Sequence, residues 1–216
     1  MSFKNASPIP CKVILVGDIS VGKTSIINTL LDKNEIVMST LGNYFEEKQL
    51  VIDDYNINFI IYDTAGQETY RALNKLFFNE ARICLIIYDI TRKNTFESVK
   101  DYWVDTVKEK CPENSIIGII GNKSDLFLQE QVKEEEGKKY AKKVHAFYRY
   151  CSAQNKNQIK ELFDSVGKLF VKSKYFEKIK NDYMEGGEKK NDDKRTITKS
   201  DFRDSVVKIN KKKCCK

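Results

Sequence analysis

Short, nearly continuous apolar runs alternate along this chain with stretches whose apolar residues recur every three or four positions. Residues 11–16 form the first run, rich in β-branched side chains. A turn bracketed by Gly17 and Gly22 follows, and Ile26, Ile27, Leu30 and Leu31 then fall at helical spacing. Runs 45–52 and 57–62 flank Asp53-Asp54-Tyr55-Asn56, which predicts an antiparallel hairpin. Residues 83–88 and 116–120 are almost wholly apolar, as in strands covered on both faces. Between them Phe96, Val99, Trp103, Val104 and Val107 mark an amphipathic helix. A helix near 131–143, a strand over 147–151 and a helix near 158–171 complete the pattern. Strand–helix alternation predicts an α/β domain: a mainly parallel sheet with helices on both faces. In such sheets ligands bind at the carboxyl ends of the strands.

Charge changes the picture only at one end. The formal net charge is +7, and residues from Lys172 onward hold 15 Lys/Arg against 8 Asp/Glu. That stretch therefore carries the whole excess, and residues 1–171 are formally neutral. A basic tail suits an anionic membrane surface better than a folded nucleic-acid-binding face. The first ten residues lack the apolar stretch of a secretory signal, and Ser2 in place of Gly does not fit N-myristoylation. Apolar runs stay well short of the about 18 residues that cross a bilayer. Cys11, Cys84 and Cys151 sit in or beside apolar runs as expected of small buried hydrophobes, and no CxxC spacing suggests zinc. The chain reads as cytosolic, with a flexible Lys-, Asn- and Asp-rich tether beyond about Tyr175.

Gly17-Asp18-Ile19-Ser20-Val21-Gly22-Lys23-Thr24 matches G-x-x-x-x-G-K-[ST] between a strand and a helix. Glycines at both ends permit a tight turn whose backbone N–H groups point at phosphate oxygens, and the helix N-terminus favours negative charge. Asp18, Ile19, Ser20, Val21, Gly22, Lys23, Thr24 and Ser25 are the predicted phosphate-side residues. Lys23 would reach the β- and γ-phosphates and Thr24 would give a hydroxyl to Mg²⁺. This motif alone does not separate GTP from ATP. Asn122-Lys123-Ser124-Asp125 follows the apolar strand that ends near Gly121. A carboxylate can accept from guanine N1–H and its exocyclic amine, a donor pair that adenine lacks.

In this order behind the phosphate loop, N-K-x-D resembles the small GTPases and implies their P-loop fold: a six-stranded, mostly parallel sheet with helices on both faces. The resemblance implies that Asn122 braces the loop, Lys123 covers the base and Asp125 reads guanine. Cys151-Ser152-Ala153-Gln154 resembles the family's S-A-K element, with Gln154 in place of lysine. Ser152, Ala153 and Gln154 are accordingly expected at the base.

Asp63-Thr64-Ala65-Gly66-Gln67-Glu68 follows a strand. Asp63 suits Mg²⁺, Gly66 lets the backbone approach a γ-phosphate, and Gln67 would orient the attacking water. Thr40 matches the switch threonine that joins Mg²⁺ only with GTP bound. Leu41-Gly42-Asn43-Tyr44-Phe45, Tyr70-Arg71-Ala72-Leu73, Phe77-Phe78-Asn79-Glu80-Ala81 and Ile87-Tyr88-Asp89-Ile90-Thr91 resemble Rab segments, so the likeness runs over about 10–172. Phe45, Tyr62 and Phe77 stand where Rabs place an effector-facing aromatic triad, or are core aromatics. Lys213-Cys214-Cys215-Lys216 is not a C-a-a-X signal but resembles the Rab double-geranylgeranylated ending.

Three departures accompany the likeness. Ile19 occupies a position that is usually small, and would crowd Gln67 and an arginine supplied in trans. Thr24 and Thr40 lie 16 positions apart, about two fewer than usual, with Glu35, Ile36 and Val37 where an aromatic normally meets the guanine edge. Gln154 is the third.

The expected organisation is an N-terminal extension (1–10), a GTP-binding domain (11–174) and a flexible tail (175–216) with lipidation at Cys214 and Cys215. The expected function is a Rab-type GTPase that binds GTP/GDP with Mg²⁺, hydrolyses GTP slowly unaided and recruits effectors in vesicle trafficking. It would be a monomer without nucleic acid, cycling between cytosol and the cytoplasmic face of an endomembrane. An exchange factor, a GTPase-activating protein, a dissociation inhibitor and effectors are its implied partners. The alternative is a GTP-loaded interaction module that scarcely hydrolyses; a P-loop ATPase or nucleotide kinase is a more distant one.

Overall fold

Asp53 and Asp54 both adopt positive φ, 45° and 71°, the two-residue hairpin turn that matches the twist of its strands. They join β2 (Phe45–Ile52) to β3 (Tyr55–Asp63), with Phe45 opposite Tyr62 and Ile52 opposite Tyr55. The turn is thus shorter than the four residues expected, because Tyr55 and Asn56 already belong to the ladder. The computed structural model describes residues 7–33, 45–63 and 75–184. Thr40, Gly66, Gln67, Cys214 and Cys215, and the Rab-like segments 41–44 and 70–73, lie outside the described residues.

β1 (Ile9–Val16) leads through the phosphate loop to α1 (Lys23–Leu30). After the hairpin come α2 (Lys75–Phe78), β4 (Ile83–Asp89) and α3 (Lys93–Ser98). A π-helical turn, Val99–Trp103, carries α3 on into α4 (Val104–Lys110). β5 (Ile116–Asn122), a 3₁₀ turn (Ser124–Gln129), α5 (Glu134–Lys143), β6 (Phe147–Tyr150), α6 (Lys156–Val171) and α7 (Lys174–Met184) follow. The strands form one six-stranded sheet in the order β2-β3-β1-β4-β5-β6, antiparallel only between β2 and β3.

Every residue of β4 is buried, which is why that strand reads as an unbroken apolar run. One face of the sheet packs Val13, Leu15, Phe59 and Ile61 against Ile26 of α1 and Leu162, Phe163 and Val166 of α6. The other packs Ile14, Ile86 and Ile119 against Phe78, Phe96, Val104 and Ala141. Cys11, Cys84 and Cys151 are buried within these layers, and burial raises the Cys11 thiol and pushes Cys151 up to about 12. They serve as small hydrophobes.

The C-terminal end differs from expectation. The tether expected from residue 175 starts instead with a docked helix, α7. Its Phe176 is fully buried, 4.8 Å from the Tyr55 ring and 5.5 Å from Phe170. Tyr175 lies under Arg82, whose guanidinium is 3.4 Å from the ring centroid. Tyr175, Phe176 and Ile179 form an apolar stripe that surrounding lysines mask in composition. By its contacts the chain separates into Met1–Gly186 and Gly187–Lys216, and the second unit lies outside the described residues. Among the described residues no helix is long and apolar enough to cross a membrane.

Candidate functional site

Parallel strands β1, β4 and β5 end side by side, so their three following loops converge at one edge of the sheet. The loop after β1 is shaped by what surrounds its glycines. A Cβ on Gly17 would stand 2.2 Å from the Ile87 carbonyl oxygen of β4, and Gly17 has φ +138°. Gly22 has φ +98° and faces the Asn122 side chain just as closely. Ser20 between them also has positive φ, 60°. Only this turn lets Lys23 begin α1 with its side chain folded back over the loop.

Lys23 is 4% exposed, and its Nζ donates to the carbonyl oxygens of Gly17 at 2.7 Å and Asp18 at 2.8 Å. Burial draws its pKa down to about 8; Asp63 and Asp18 pull upward, and the Arg92 charge pushes down. A desolvated ammonium held chiefly by neutral carbonyls suits an incoming anion. The Thr24 hydroxyl donates to Oδ2 of Asp63 at 2.5 Å. Asp63 closes β3 and is buried. The sequence had assigned both residues to one ion; the fold brings them into contact across 39 positions. Among the described residues no group of three or more His, Cys, Asp or Glu gathers as a metal cluster. A hydroxyl and a carboxylate are nonetheless the oxygen donors that a hard divalent cation takes alongside phosphate and water.

The base-side loops meet at Asn122. Its buried side-chain amide donates to the Val21 carbonyl at 2.8 Å, and its Oδ1 accepts from the Ala153 N–H at 2.9 Å. One side chain thus ties the phosphate loop to the loop after β6. Thr29 adds a 2.6 Å bond to the Ala153 carbonyl. Lys123 follows with φ +70°, and its Nζ pairs with Oδ2 of Asp89 at 2.7 Å. The Ser152 hydroxyl donates to Oδ1 of Asp125 in a short bond, and the Gln154 N–H donates to that hydroxyl oxygen at 3.0 Å. Asp125, Ser152 and Gln154 line a cavity of about 480 Å³ with Ser124, Phe127 and residues 155–158.

Ile19 is 43% exposed at the outer surface of the phosphate loop. Phe45, Tyr62 and Phe77 are brought together, with ring centroids 5.4 Å and 5.9 Å apart in sequence of contact. Phe77 is itself buried, so the cluster joins the core as well as the edge of the hairpin.

Three residues here were not anticipated: Asp89, Arg92 and Trp103. Trp103 donates from Nε1 to Oδ1 of Asp18 at 2.9 Å. The available signal was an acid closing a wholly apolar strand, with an arginine three positions on.

Known proteins place the chain. The Ras family model matches residues 12–172. The Ras-related protein Rab-22A of Canis lupus familiaris is 36% identical over 159 residues, 73% of this chain and 81% of its own length. The putative ras-related protein Rab-5B of Dictyostelium discoideum is 35% identical over 164 residues, 75% of this chain and 76% of its own. The Ras-related protein RABA4a of Arabidopsis thaliana is 35% identical over 158 residues, 72% and 69%. Such relatives favour a hydrolysing switch over a permanently loaded module. Alike in more than a third of its aligned residues, with both the phosphate and the base loops assembled at one sheet edge, the chain belongs to the Rab branch of the Ras-like small GTPases, guanine-nucleotide switches that hydrolyse GTP in vesicle trafficking.

Proposed function

We propose that the converging loops hold guanine nucleotide with Mg²⁺ and that the lipid-carrying tail brings this switch to a membrane. In this reading the N–H groups of residues 18–25 face the phosphates, and Lys23 supplies the fixed positive charge. Thr24 and Asp63 hold Mg²⁺, which when bound neutralises phosphate charge. Asp125 reads the guanine edge, Lys123 lies over the base, and the backbone of Ser152, Ala153 and Gln154 lines its far side. Thr40 and Gly66 would close on the γ-phosphate side, and Gln67 would orient the attacking water. Release of those two segments after hydrolysis is the order change that effectors sense.

The observation that carries the nucleotide reading is Lys23: a buried ammonium at the start of a helix, folded back over the phosphate loop, its pKa drawn down to about 8 by burial. The Thr24–Asp63 pair beside it supports the Mg²⁺ assignment. We take the GTP-binding domain, expected at 11–174, to continue into α7, since the buried Phe176 lies beyond residue 174. Cys214 and Cys215 as twin prenyl acceptors rest on the ending itself and on the physics of anchoring, since one lipid chain binds only marginally and two hold. Lysines 211–213 would add attraction to an anionic leaflet. Exchange factor, activating protein, dissociation inhibitor and effectors follow as regulators of a monomeric switch at the cytoplasmic face of an endomembrane.

Thermal stability of the purified chain with GDP, ADP or neither, each with and without Mg²⁺, tests the reading. Stabilisation by GDP that exceeds ADP and grows with Mg²⁺ is expected. Equal stabilisation by the two purines would remove it.

A further inference from the structure

Asp89 ends β4 with 1% of its surface exposed, and all of its hydrogen-bonding capacity is engaged at the edge of the nucleotide site. Its Oδ1 accepts from the Thr91 N–H at 2.9 Å and from the Thr91 hydroxyl at 2.7 Å. Its Oδ2 accepts from Lys123 Nζ at 2.7 Å and from Arg92 Nε at 3.0 Å. Burial opposes the charged carboxylate, yet Lys123 and Thr91 outweigh it and hold the pKa below the usual carboxylate value. The Arg92 guanidinium reaches further: its Nη2 donates to the Ile19 carbonyl of the phosphate loop at 2.9 Å. An unbroken line therefore runs from Lys123, through Asp89 and Arg92, to Ile19. One residue earlier, the same loop is held from outside by Trp103 on Asp18. Segment 92–103 thus grips two consecutive residues of the phosphate loop.

We propose that Asp89 and Arg92 are positioning residues that join base recognition and phosphate grip into one cooperative unit. The proposal rests on the reading of Lys123 as the base-covering residue and adds two side chains that this reading does not contain. Asp89 holds the tip of Lys123, so the aliphatic stem is fixed in one direction. Arg92 carries the same anchor to the Ile19 carbonyl, turning that peptide outward and its neighbours' N–H groups inward. The planar guanidinium makes this possible, since its Nε and Nη2 point at two acceptors in a fixed relation. A lysine at 92 would keep the charge and lose the fork. Ion pairs to a buried carboxylate specify one arrangement among several more than they add net stability, and Asp89 with its two half-exposed cations specifies how the phosphate and base loops face each other.

The experiment follows release of ribose-labelled fluorescent GDP from the full-length protein in excess unlabelled GDP. It compares wild type with Arg92→Ala, Arg92→Lys, Lys123→Ala and the Arg92→Ala/Lys123→Ala double variant. Release from Arg92→Ala is expected to be roughly tenfold faster or more, the size of a lost hydrogen bond to a charged group. Arg92→Lys is expected to release nearly as fast, because charge alone does not bridge two acceptors. The two alanine replacements together are expected to accelerate release by clearly less than the product of their separate factors, because each breaks the same line. Wild-type release from either Arg92 variant, or strict multiplication in the double variant, overturns the proposal. If wild type fails to prefer GDP over ADP in the thermal-stability comparison, the base assignment falls and this proposal falls with it; normal GDP preference with unaltered Arg92 variants sinks this proposal alone.

Discussion

A Cβ added to Gly22 would stand 2.3 Å from the side-chain nitrogen of Asn122, so the second glycine of the phosphate loop is dictated by a residue a hundred positions away. The same nitrogen donates to the Val21 carbonyl, and the backbone at Gly22 is left-handed besides. Gly22→Ala therefore meets both a collision and a strained φ, together worth about 3 kcal/mol. GDP affinity measured by fluorescence titration should fall by roughly 100-fold. Unchanged affinity would mean that the loop is not shaped by Asn122.

Lys23 makes nucleotide binding depend on pH. Without an anion its pKa lies at about 8 because of burial; phosphate would restore the charged form and raise that value. Above pH 8, binding must then take up a proton, and affinity for GDP should weaken toward the limit of tenfold per pH unit. The nucleotide-free fold should show the opposite slope. Its lysine is easier to deprotonate than in the unfolded chain, so stability should rise from pH 8 towards about 10.4. Titrations between pH 7 and 9 check the first slope, and a flat profile would contradict it.

Ile19 is exposed on the phosphate loop, and the proposed function puts Gln67 and an arginine from an activating protein at the γ-phosphate held by that loop. Assisted hydrolysis in this class gains about 10⁵-fold, and partial obstruction gives up some of that gain. Ile19→Gly should speed single-turnover GTP hydrolysis with an activating protein by roughly tenfold or more. Its carbonyl, the acceptor of Arg92, is kept. Equal rates would show that the β-branched side chain leaves the approach open.

Phe176 belongs to the core rather than to a tether. Phe176→Ala should lower stability by about 3–5 kcal/mol, read as a melting temperature lower by roughly 10 °C. Its partner Tyr55 begins β3, whereas Asp63, at the other end of that strand, meets Thr24 beside the phosphate loop. GDP release should therefore stay near wild type. An unaltered melting temperature would show that α7 contributes nothing to the fold.

Cys214 and Cys215 should act together. If both carry prenyl groups as proposed, replacing either with serine leaves one lipid chain, with marginal affinity on the order of 10⁴ M⁻¹, and flotation with anionic vesicles should be partial. Replacing both should abolish it. Full flotation of the double variant would assign the anchor to the basic tail alone.

Much of this was legible from the chain alone, and for physical reasons that are local. The glycines, Lys23 and Thr24 announce a phosphate loop because turn geometry and charge are properties of adjacent residues. The unbroken apolar run at 83–88 announced a strand covered on both faces, and β4 is one. Where local signals were weak, boundaries moved. Tyr55 and Asn56 read as turn residues but pair in the ladder; Tyr175 and Phe176 were hidden among lysines yet dock.

What the sequence by itself determined is the inventory: the candidate groups for phosphate, ion, purine and lipid, in an order that marks the Rab branch. What only the tertiary structure decided is who touches whom. No motif assigned a contact to Asp89, Arg92 or Trp103, and their contacts with Lys123, Ile19 and Asp18 exist because the sheet sets β1, β4 and β5 side by side. Strand order is a long-range outcome of packing two apolar layers, and hydrogen bonds across it depend on positions that no short stretch of chain encodes.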